Sequence, residues 1–338
     1  MTTESLPTRT HHAASPHEPP AALRAAGIVA ALAVVIAIVA IAFGLPAARS
    51  KPHDVPIGAA GPQAASGQVA QLLEQNAPGA FDITYYPGEA ALRAAIDNRD
   101  VYGGISFGPD GRTLLIATGA SPAVAQLLSQ VGTGIAAHEG VQLTTEDVAP
   151  PTKDDPRGTG LAASALPITL AGLLPAIALV LILRREVWTR LIAAAVFAAV
   201  AGLTIAALLR FVLGSIDANF WGVAGGLTLG LLAASLSTLG LGSVLGRAGL
   251  TAGALVALLL GNPLSGLAGA PELLPSGWGA VGQWLPQGAN ATLLRSTAFF
   301  GGAGAAMAIV VLSLWTIAGL VLIVIAAMRN GKDAKGAG

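Results

Sequence analysis

The sequence contains no cysteine among its 338 residues, which excludes a disulfide framework, a thiolate zinc site and a cysteine nucleophile. Charged side chains are also scarce, because they make up only 11% of the chain against roughly 25% in typical soluble domains. The 18 basic residues balance the 18 acidic ones, so the chain shows no basic footprint for nucleic acid. Hydrophobic residues instead make up 54% of the chain, and this favours an integral membrane protein.

The apolar residues are grouped into segments long enough to cross a bilayer, which takes about 20 residues as a helix. A short Gly246–Gly249 break separates the fourth segment from the fifth, and together they would be too long for one crossing. The sequence therefore predicts a polytopic α-helical membrane protein with six transmembrane helices. They cover residues 24–45, 163–183, 189–213, 221–245, 249–268 and 303–328.

Lysine and arginine in short loops set the orientation of such a protein, because these loops stay in the cytoplasm. With the amino terminus inside, the short outer connections hold Arg295 alone, and Arg210 lies near the outer end of the third segment. We therefore expect a multi-pass protein of the inner or plasma membrane, with both termini and the tail 329–338 in the cytoplasm. The inner basic residues are Arg9, Arg24, Arg184, Arg185, Arg190, Arg247, Arg329, Lys332 and Lys335.

The first apolar segment can be interpreted either as a cleaved signal peptide or as a permanent anchor. Its apolar run from Ala26 to Leu45 exceeds the roughly 7–15 residues of a signal-peptide core, which favours an anchor. Residues 1–22 are rich in Thr, Ser, Pro and His and are predicted to be a disordered cytoplasmic tail. His11, His12 and His17 in this tail either bind a metal or are simply solvated, and we favour solvation.

Residues 46–160 hold 12 of the 18 acidic side chains and are predicted to form a small extracytoplasmic α/β domain between the first two membrane helices. The hydrophobic periodicity predicts the order β-α-β-α-β-β-α, followed by a polar connector over 140–160. The acidic and histidine side chains are scattered without the spacing of a metal site or a catalytic constellation. We therefore predict no catalytic, cofactor-binding or metal-ligating residue.

The five-helix region 161–328 contains a long segment, 262–300, that is broken repeatedly by glycine and proline. Irregular backbone near a bilayer is tolerated only where protein or a water-filled cavity satisfies its polar groups, so we predict a re-entrant-like outer loop. Arg210 either binds an anionic group or makes a local structural contact, and Asn262 and Asn290 either cap broken helices or face substrate. The predicted substrate-path and outer-rim residues are Arg210, Asn262, Pro263, Trp278, Trp284 and Arg295.

The chain lacks the usual groups for powering transport by itself. The predicted membrane helices contain no Asp, Glu, Lys or His to relay protons, and none of the four lysines follows a glycine-rich phosphate-binding loop. We therefore expect the energy to come from a separate ATPase that docks on the cytoplasmic face. The docking candidates are Arg184, Arg185, Glu186, Arg190 and Arg247, although the basic residues among them can equally serve only to fix the topology.

Three local patterns accompany the layout of one span, an outer domain and five further spans. They are Val55–Ala60, Glu89–Ala95 followed by Val101–Phe107, and Gly261–Gly266 with Leu274–Gly279. With these patterns the chain resembles the ABC-2 type permeases, particularly the phage-infection-protein (YhgE/Pip) group, over most of residues 24–328. The resemblance implies a permease half that forms a homodimer in the lipid bilayer and exports an amphipathic or cell-surface molecule with a separate ATPase subunit.

Two other classes of function stay open at the level of sequence. The chain can be a non-transporting membrane scaffold or receptor whose extracytoplasmic domain binds a partner. It can also be a membrane enzyme acting on lipids, which is disfavoured because no acid–base pair lies at a predicted membrane boundary.

Overall fold

The computed structural model describes residues 20–108, 111–183 and 186–336. The chain divides into two units, residues 1–41 and 42–338. The first unit contains most of helix α1 (Ala21–Ala48), an apolar helix of 28 residues. The predicted tail 1–22, with its three histidines, lies outside the described residues except for its last three positions.

The second unit begins with an α/β domain, which we define as residues 55–147. Its five-stranded sheet has the order β2-β1-β3-β4-β5, in which only the β3–β4 pair is antiparallel. The strands are β1 (Val55–Ala60), β2 (Phe81–Tyr86), β3 (Gly103–Gly108), β4 (Gly111–Ile116) and β5 (Leu143–Asp147). The helices are α2 (Gln63–Asn76), α3 (Glu89–Asp97) and α4 (Pro122–Glu139).

Apolar side chains cover the sheet on both faces. Leu92 and Ile96 of α3 pack with Leu115 on one face. Val69 of α2 and Leu128 of α4 pack on the other face. Because helices protect both faces, the strands can be apolar on both sides, as is usual for parallel sheets.

The predicted succession of strands and helices from residue 55 to 138 is confirmed, although the turn residues 109–110 lie outside the described residues. The prediction of a plain connector over 140–160 is wrong in one respect, because residues 143–147 form the edge strand β5. This strand carries one large apolar side chain, Leu143, and three of its five residues are exposed. An edge strand with so little apolar surface has the same sequence pattern as a loop.

Five helices in the described residues are long and apolar enough to cross a bilayer, and they indicate a helical membrane protein. The predicted fifth span, 249–268, corresponds to a shorter apolar helix, Arg247–Gly261. The count of six crossings therefore stays a prediction. The five long helices are Ala21–Ala48, Thr159–Ile182, Val187–Val212, Phe220–Leu245 and Ala306–Asn330.

After the α/β domain the helices follow one another with short connections, apart from the irregular stretch 262–277 before α10. α5 (Thr159–Ala163) leads directly into α6 (Ala165–Ile182), and α7 (Val187–Ala207) ends in a π-helical turn, Leu208–Val212. Then come α8 (Phe220–Leu245) and α9 (Arg247–Leu255), which also continues as a π-helical turn, Val256–Gly261. The last three are α10 (Trp278–Gln283), α11 (Pro286–Phe299) and α12 (Ala306–Gly336).

Helix α8 lies at the centre of this bundle and contacts α6, α7, α9, α11 and α12. Small residues make this contact close. A Cβ atom added to Gly319 of α12 would lie 2.6 Å from the carbonyl oxygen of Leu236 on α8, so only glycine fits there. Such small-residue contacts are a common basis for helix association in lipid.

The segment 262–300 contains more helix than the predicted loop. Its first part is irregular as far as residue 277, apart from a 3₁₀ turn at Pro271–Leu273, but α10 and α11 follow. The Trp315 indole, in the middle of α12, donates to the carbonyl of Trp284, just before α11 begins (2.8 Å). Near the carboxyl end of α11, the backbone carbonyl of Thr297 accepts a hydrogen bond from the side chain of Asn219, the residue before α8 (2.8 Å). Helix α11 is therefore a half-length helix inside the bundle.

Candidate functional site

A cavity of about 500 Å³ lies between the α/β domain, the irregular stretch 262–277 and helices α11 and α12. This is within the usual range of roughly 300–1,000 Å³ for small-molecule pockets. Its wall combines charged, polar and apolar side chains. The charged and polar residues that matter most are Arg99, Tyr102, Glu272, Gln283, Thr292 and Arg295.

Arg295 lies on α11 and is only 6% exposed. Its guanidinium group donates to the carbonyl oxygens of Leu267 (2.6 Å), Gly269 (2.7 Å) and Ala120 (3.0 Å). At least three of its five N–H groups are thus committed to backbone acceptors. Arg295 therefore joins α11, the irregular stretch and the α/β domain, and it forms the back wall of the cavity.

Arg99 follows α3 in a backbone conformation that glycine normally occupies. Its φ is +64°, and its backbone N–H donates to Ile96 O, as in a left-handed helix C-cap. A residue with a Cβ atom in this conformation costs on the order of 1–2 kcal/mol. An arginine in a strained position indicates that its side chain is needed there.

The Arg99 side chain reaches across the domain boundary to α11. Its Nη1 donates to Ser296 Oγ (2.6 Å) and to the carbonyl of Thr292 (3.1 Å). The guanidinium carbon also lies 5.4 Å from the centre of the Phe300 ring. The side chain is half-buried and lines the cavity.

Glu272 is the acidic partner at this end of the cavity. It accepts a hydrogen bond from the Tyr102 hydroxyl (2.8 Å), while its backbone carbonyl accepts from the backbone N–H of His53 (2.9 Å). The neighbouring Leu273 carbonyl accepts from the backbone N–H of Lys51 (3.1 Å) and from Ser50 Oγ (2.6 Å). The 3₁₀ turn is thus held against the chain that leads into the α/β domain.

Burial controls the protonation of these groups. It lowers the pKa of Arg99, and it lowers the pKa of Arg295 to about 10, so both guanidinium groups stay charged at neutral pH. Burial and the negative charge of Glu272 raise the pKa of Tyr102, which therefore stays a neutral hydrogen-bond donor. The inner end of the cavity consequently has two fixed positive charges facing one carboxylate.

The other predicted outer residues lie outside the lining of this cavity. Arg210 donates to the carbonyl of Ile216 (3.3 Å), which is a local contact at the end of α7. Asn262 and Pro263 follow the π-helical turn and are half-buried. Trp278 begins α10 and Trp284 follows it, and both side chains are exposed.

Asn290 does not cap a helix, because it lies in the middle of α11. It is buried against Gly230 of α8, where an added Cβ atom would clash with its side-chain oxygen. This oxygen has no hydrogen-bond partner within the described chain. The asparagine therefore marks the close crossing of α8 and α11.

The predicted ATPase-docking residues differ in accessibility. Arg184 and Arg185 lie outside the described residues. Glu186 and Arg247 are exposed, whereas Arg190 is only 3% exposed and lies inside the bundle. Among the described candidates, Glu186 and Arg247 are therefore the ones accessible at the surface.

Sequence reasoning missed Arg99, Tyr102 and Glu272. Their contacts link residues separated by 170 or more positions along the chain, which no local pattern reveals. One local signal was present for Arg99, since helix α3 ends in a position where glycine is usual. The described residues contain no group of three or more His, Asp or Glu side chains placed to hold a metal ion.

No protein-family model matches the chain, and the searches of curated proteins and of solved structures returned no match.

Proposed function

We propose that this chain is an ABC-2 type permease subunit that exports an amphipathic or cell-surface molecule and is powered by a separate ATPase subunit. The observation that carries the proposal is the broken path of the chain from Val256 to Phe299. After a π-helical turn, the irregular stretch 262–277 and the half-length helix α11 contribute residues to the wall of the cavity. Discontinuous helices form the binding sites of many secondary transporters, and the same arrangement supports a transport function here.

The five long apolar helices support an external source of energy. Between their first and last residues they contain no Asp, Glu or His. A proton-driven transporter would need such groups near its transport path. The chain also lacks a phosphate-binding loop with its lysine, so the ATPase is a partner in this proposal.

The topology completes the proposal. The α/β domain and the segment 262–300 lie on the extracytoplasmic side of the membrane. The exposed residues Glu186 and Arg247 lie on the cytoplasmic side. Two copies of the chain form the permease in the inner or plasma membrane. The excess of Lys and Arg in the predicted inner loops supports this orientation.

The proposal predicts that an ATP-hydrolysing protein co-purifies with the chain from native membranes in a mild detergent. The charge reversal Arg247→Glu should reduce the co-purified ATPase activity by roughly tenfold, because interface charge pairs are worth on the order of 1.5 kcal/mol or more. Arg157→Glu is the matched control, since Arg157 is exposed in the connector after the α/β domain.

Absence of any ATP-hydrolysing partner would contradict the permease assignment and favour the membrane scaffold. An equal loss in both variants would contradict docking at Arg247. The co-purified activity is measured on equal amounts of eluted chain, so expression differences do not affect the comparison.

A further inference from the structure

We infer that the cavity binds the anionic headgroup of an amphiphilic substrate, and that the Arg99 guanidinium makes the main electrostatic contact. This inference rests on the proposed function, because it names the chemical class of the exported molecule. The three properties that carry it are a strained, partly accessible arginine, a local excess of positive charge and an apolar opening.

The first property is the geometry of Arg99. Its hydrogen bonds to Thr292 O and Ser296 Oγ both start from Nη1, and a guanidinium group has five N–H groups. Within the described residues, Nε and Nη2 make no further hydrogen bond. Since the side chain lines the cavity, these groups can form the paired N–H···O contacts that carboxylates and phosphates accept.

The second property is the charge of the inner wall. Arg295 lines the cavity together with Arg99. The buried guanidinium group of Arg295 is held by backbone carbonyls rather than by a carboxylate. Glu272, which is hydrogen-bonded to Tyr102, offsets one of these two positive charges. Asp54, the other acid in the lining, is exposed and therefore screened by solvent. An anion would consequently be stabilised at the inner end.

The third property is the apolar part of the wall, which distinguishes an amphiphile from free phosphate. Leu274, Met307 and Ala308 line the cavity, and Met307 is 64% exposed. On α10, Val281 is 56% exposed and lies next to Ala280, which also lines the cavity. An acyl chain can therefore leave the cavity over apolar side chains while its headgroup stays beside Arg99.

The test is lipid binding to the purified chain in a nonionic detergent, measured by native mass spectrometry without ATP. The probes are phosphatidylglycerol, phosphatidylcholine with the same acyl chains, and inorganic phosphate. We expect phosphatidylglycerol to bind about tenfold more tightly than phosphatidylcholine. Arg99→Gly should remove this preference, Arg99→Lys should keep part of it, and Arg157→Gly should leave it unchanged.

Arg99→Gly is informative because glycine suits the left-handed backbone conformation, so the change removes the guanidinium without adding backbone strain. A second pair of variants avoids the domain boundary altogether. Met307→Glu places a negative charge at the exposed opening and should weaken phosphatidylglycerol binding severalfold. Met307→Gln has nearly the same size and should have a much smaller effect.

Three results would overturn the inference. They are equal binding of the two lipids, an unchanged lipid preference in Arg99→Gly, and complete displacement of phosphatidylglycerol by inorganic phosphate. The last result would identify a site for free phosphate. Binding is measured on the chain alone, so its failure is separable from failure of the permease proposal, which depends on the ATPase partner.

Discussion

Helices α8 and α11 are both largely buried, but their buried side chains differ in chemical type. The buried positions of α8 hold mainly Gly, Ala, Leu and small hydroxyl residues, without any charge. Those of α11 include Asn290, Arg295, Ser296 and Thr297 in a helix of only 14 residues. Helix α8 is held by close approach of its neighbours, whereas α11 combines apolar packing with side-chain hydrogen bonds such as those of Arg295.

The difference indicates what surrounds each helix. An apolar helix with small residues suits a bilayer, where van der Waals packing drives association. A buried arginine is costly in such surroundings unless protein groups satisfy it, as three carbonyls do for Arg295. Helix α11 therefore belongs to a polar zone that joins the bundle to the α/β domain, and α8 belongs to the apolar zone.

The largest expected effect comes from the polar zone. Arg295→Met keeps much of the apolar stem but leaves the carbonyls of Leu267 and Ala120 without their arginine donor, whereas the Gly269 carbonyl keeps the hydrogen bond from Ser121 Oγ. Since each unsatisfied buried polar group costs about 1–3 kcal/mol, we expect a loss of roughly 2–6 kcal/mol in the free energy of unfolding. Thermal unfolding in detergent measures it. An unchanged melting temperature would contradict the role of Arg295 in joining α11 to the irregular stretch and to the α/β domain.

The apolar zone should respond to size and not to polarity. Gly319→Ala places a methyl group against the α8 backbone and should cost about 1–3 kcal/mol through overpacking. Gly225→Ala is the matched control on α8, because an added Cβ atom there meets nothing within 4 Å. If both variants melt alike, close approach of α8 and α12 does not stabilise the bundle.

A smaller effect is expected at Asp155, where the connector after the α/β domain meets the loop before α8. Its carboxylate accepts hydrogen bonds from Gly160 N (2.8 Å), Thr159 N (2.9 Å) and Ser215 Oγ (2.8 Å). Asp155→Ala should cost about 0.5–2 kcal/mol, as loss of a helix N-terminal cap does. The exposed neighbour Asp154, replaced by alanine, is the control.

The contribution of Asp155 should also depend on pH. Burial by itself raises the pKa of this group. The hydrogen bonds to its carboxylate lower the pKa by a larger amount, so the net pKa lies below its ordinary value. A lowered folded-state pKa stabilises the fold above the pKa of the unfolded chain, near 4, and this stabilisation is lost as the pH falls through the folded pKa. The melting-temperature difference between wild type and Asp155→Ala should therefore shrink below about pH 4. A difference that grows on acidification would contradict this account.

The sequence was sufficient to predict the elements that have a long apolar run or a clear hydrophobic periodicity. Five of the six predicted apolar segments correspond to the long helices, and the strands and helices between residues 55 and 138 are confirmed. It was insufficient for β5, whose side chains are mostly solvated, and for α11, whose polar residues look like those of a loop. The cavity was not predictable, because Arg99 meets Ser296 only through the tertiary fold.

The most direct test of the account is the side of the membrane on which the cavity lies. The chain has no cysteine, so single-cysteine variants can be labelled with a membrane-impermeant maleimide without background. Thr133, Ser276 and Arg247 are exposed positions for them. We predict that Thr133→Cys and Ser276→Cys react in intact cells, and that Arg247→Cys reacts only after permeabilisation. Labelling of Arg247→Cys in intact cells, or protection of Ser276→Cys, would contradict an extracytoplasmic cavity.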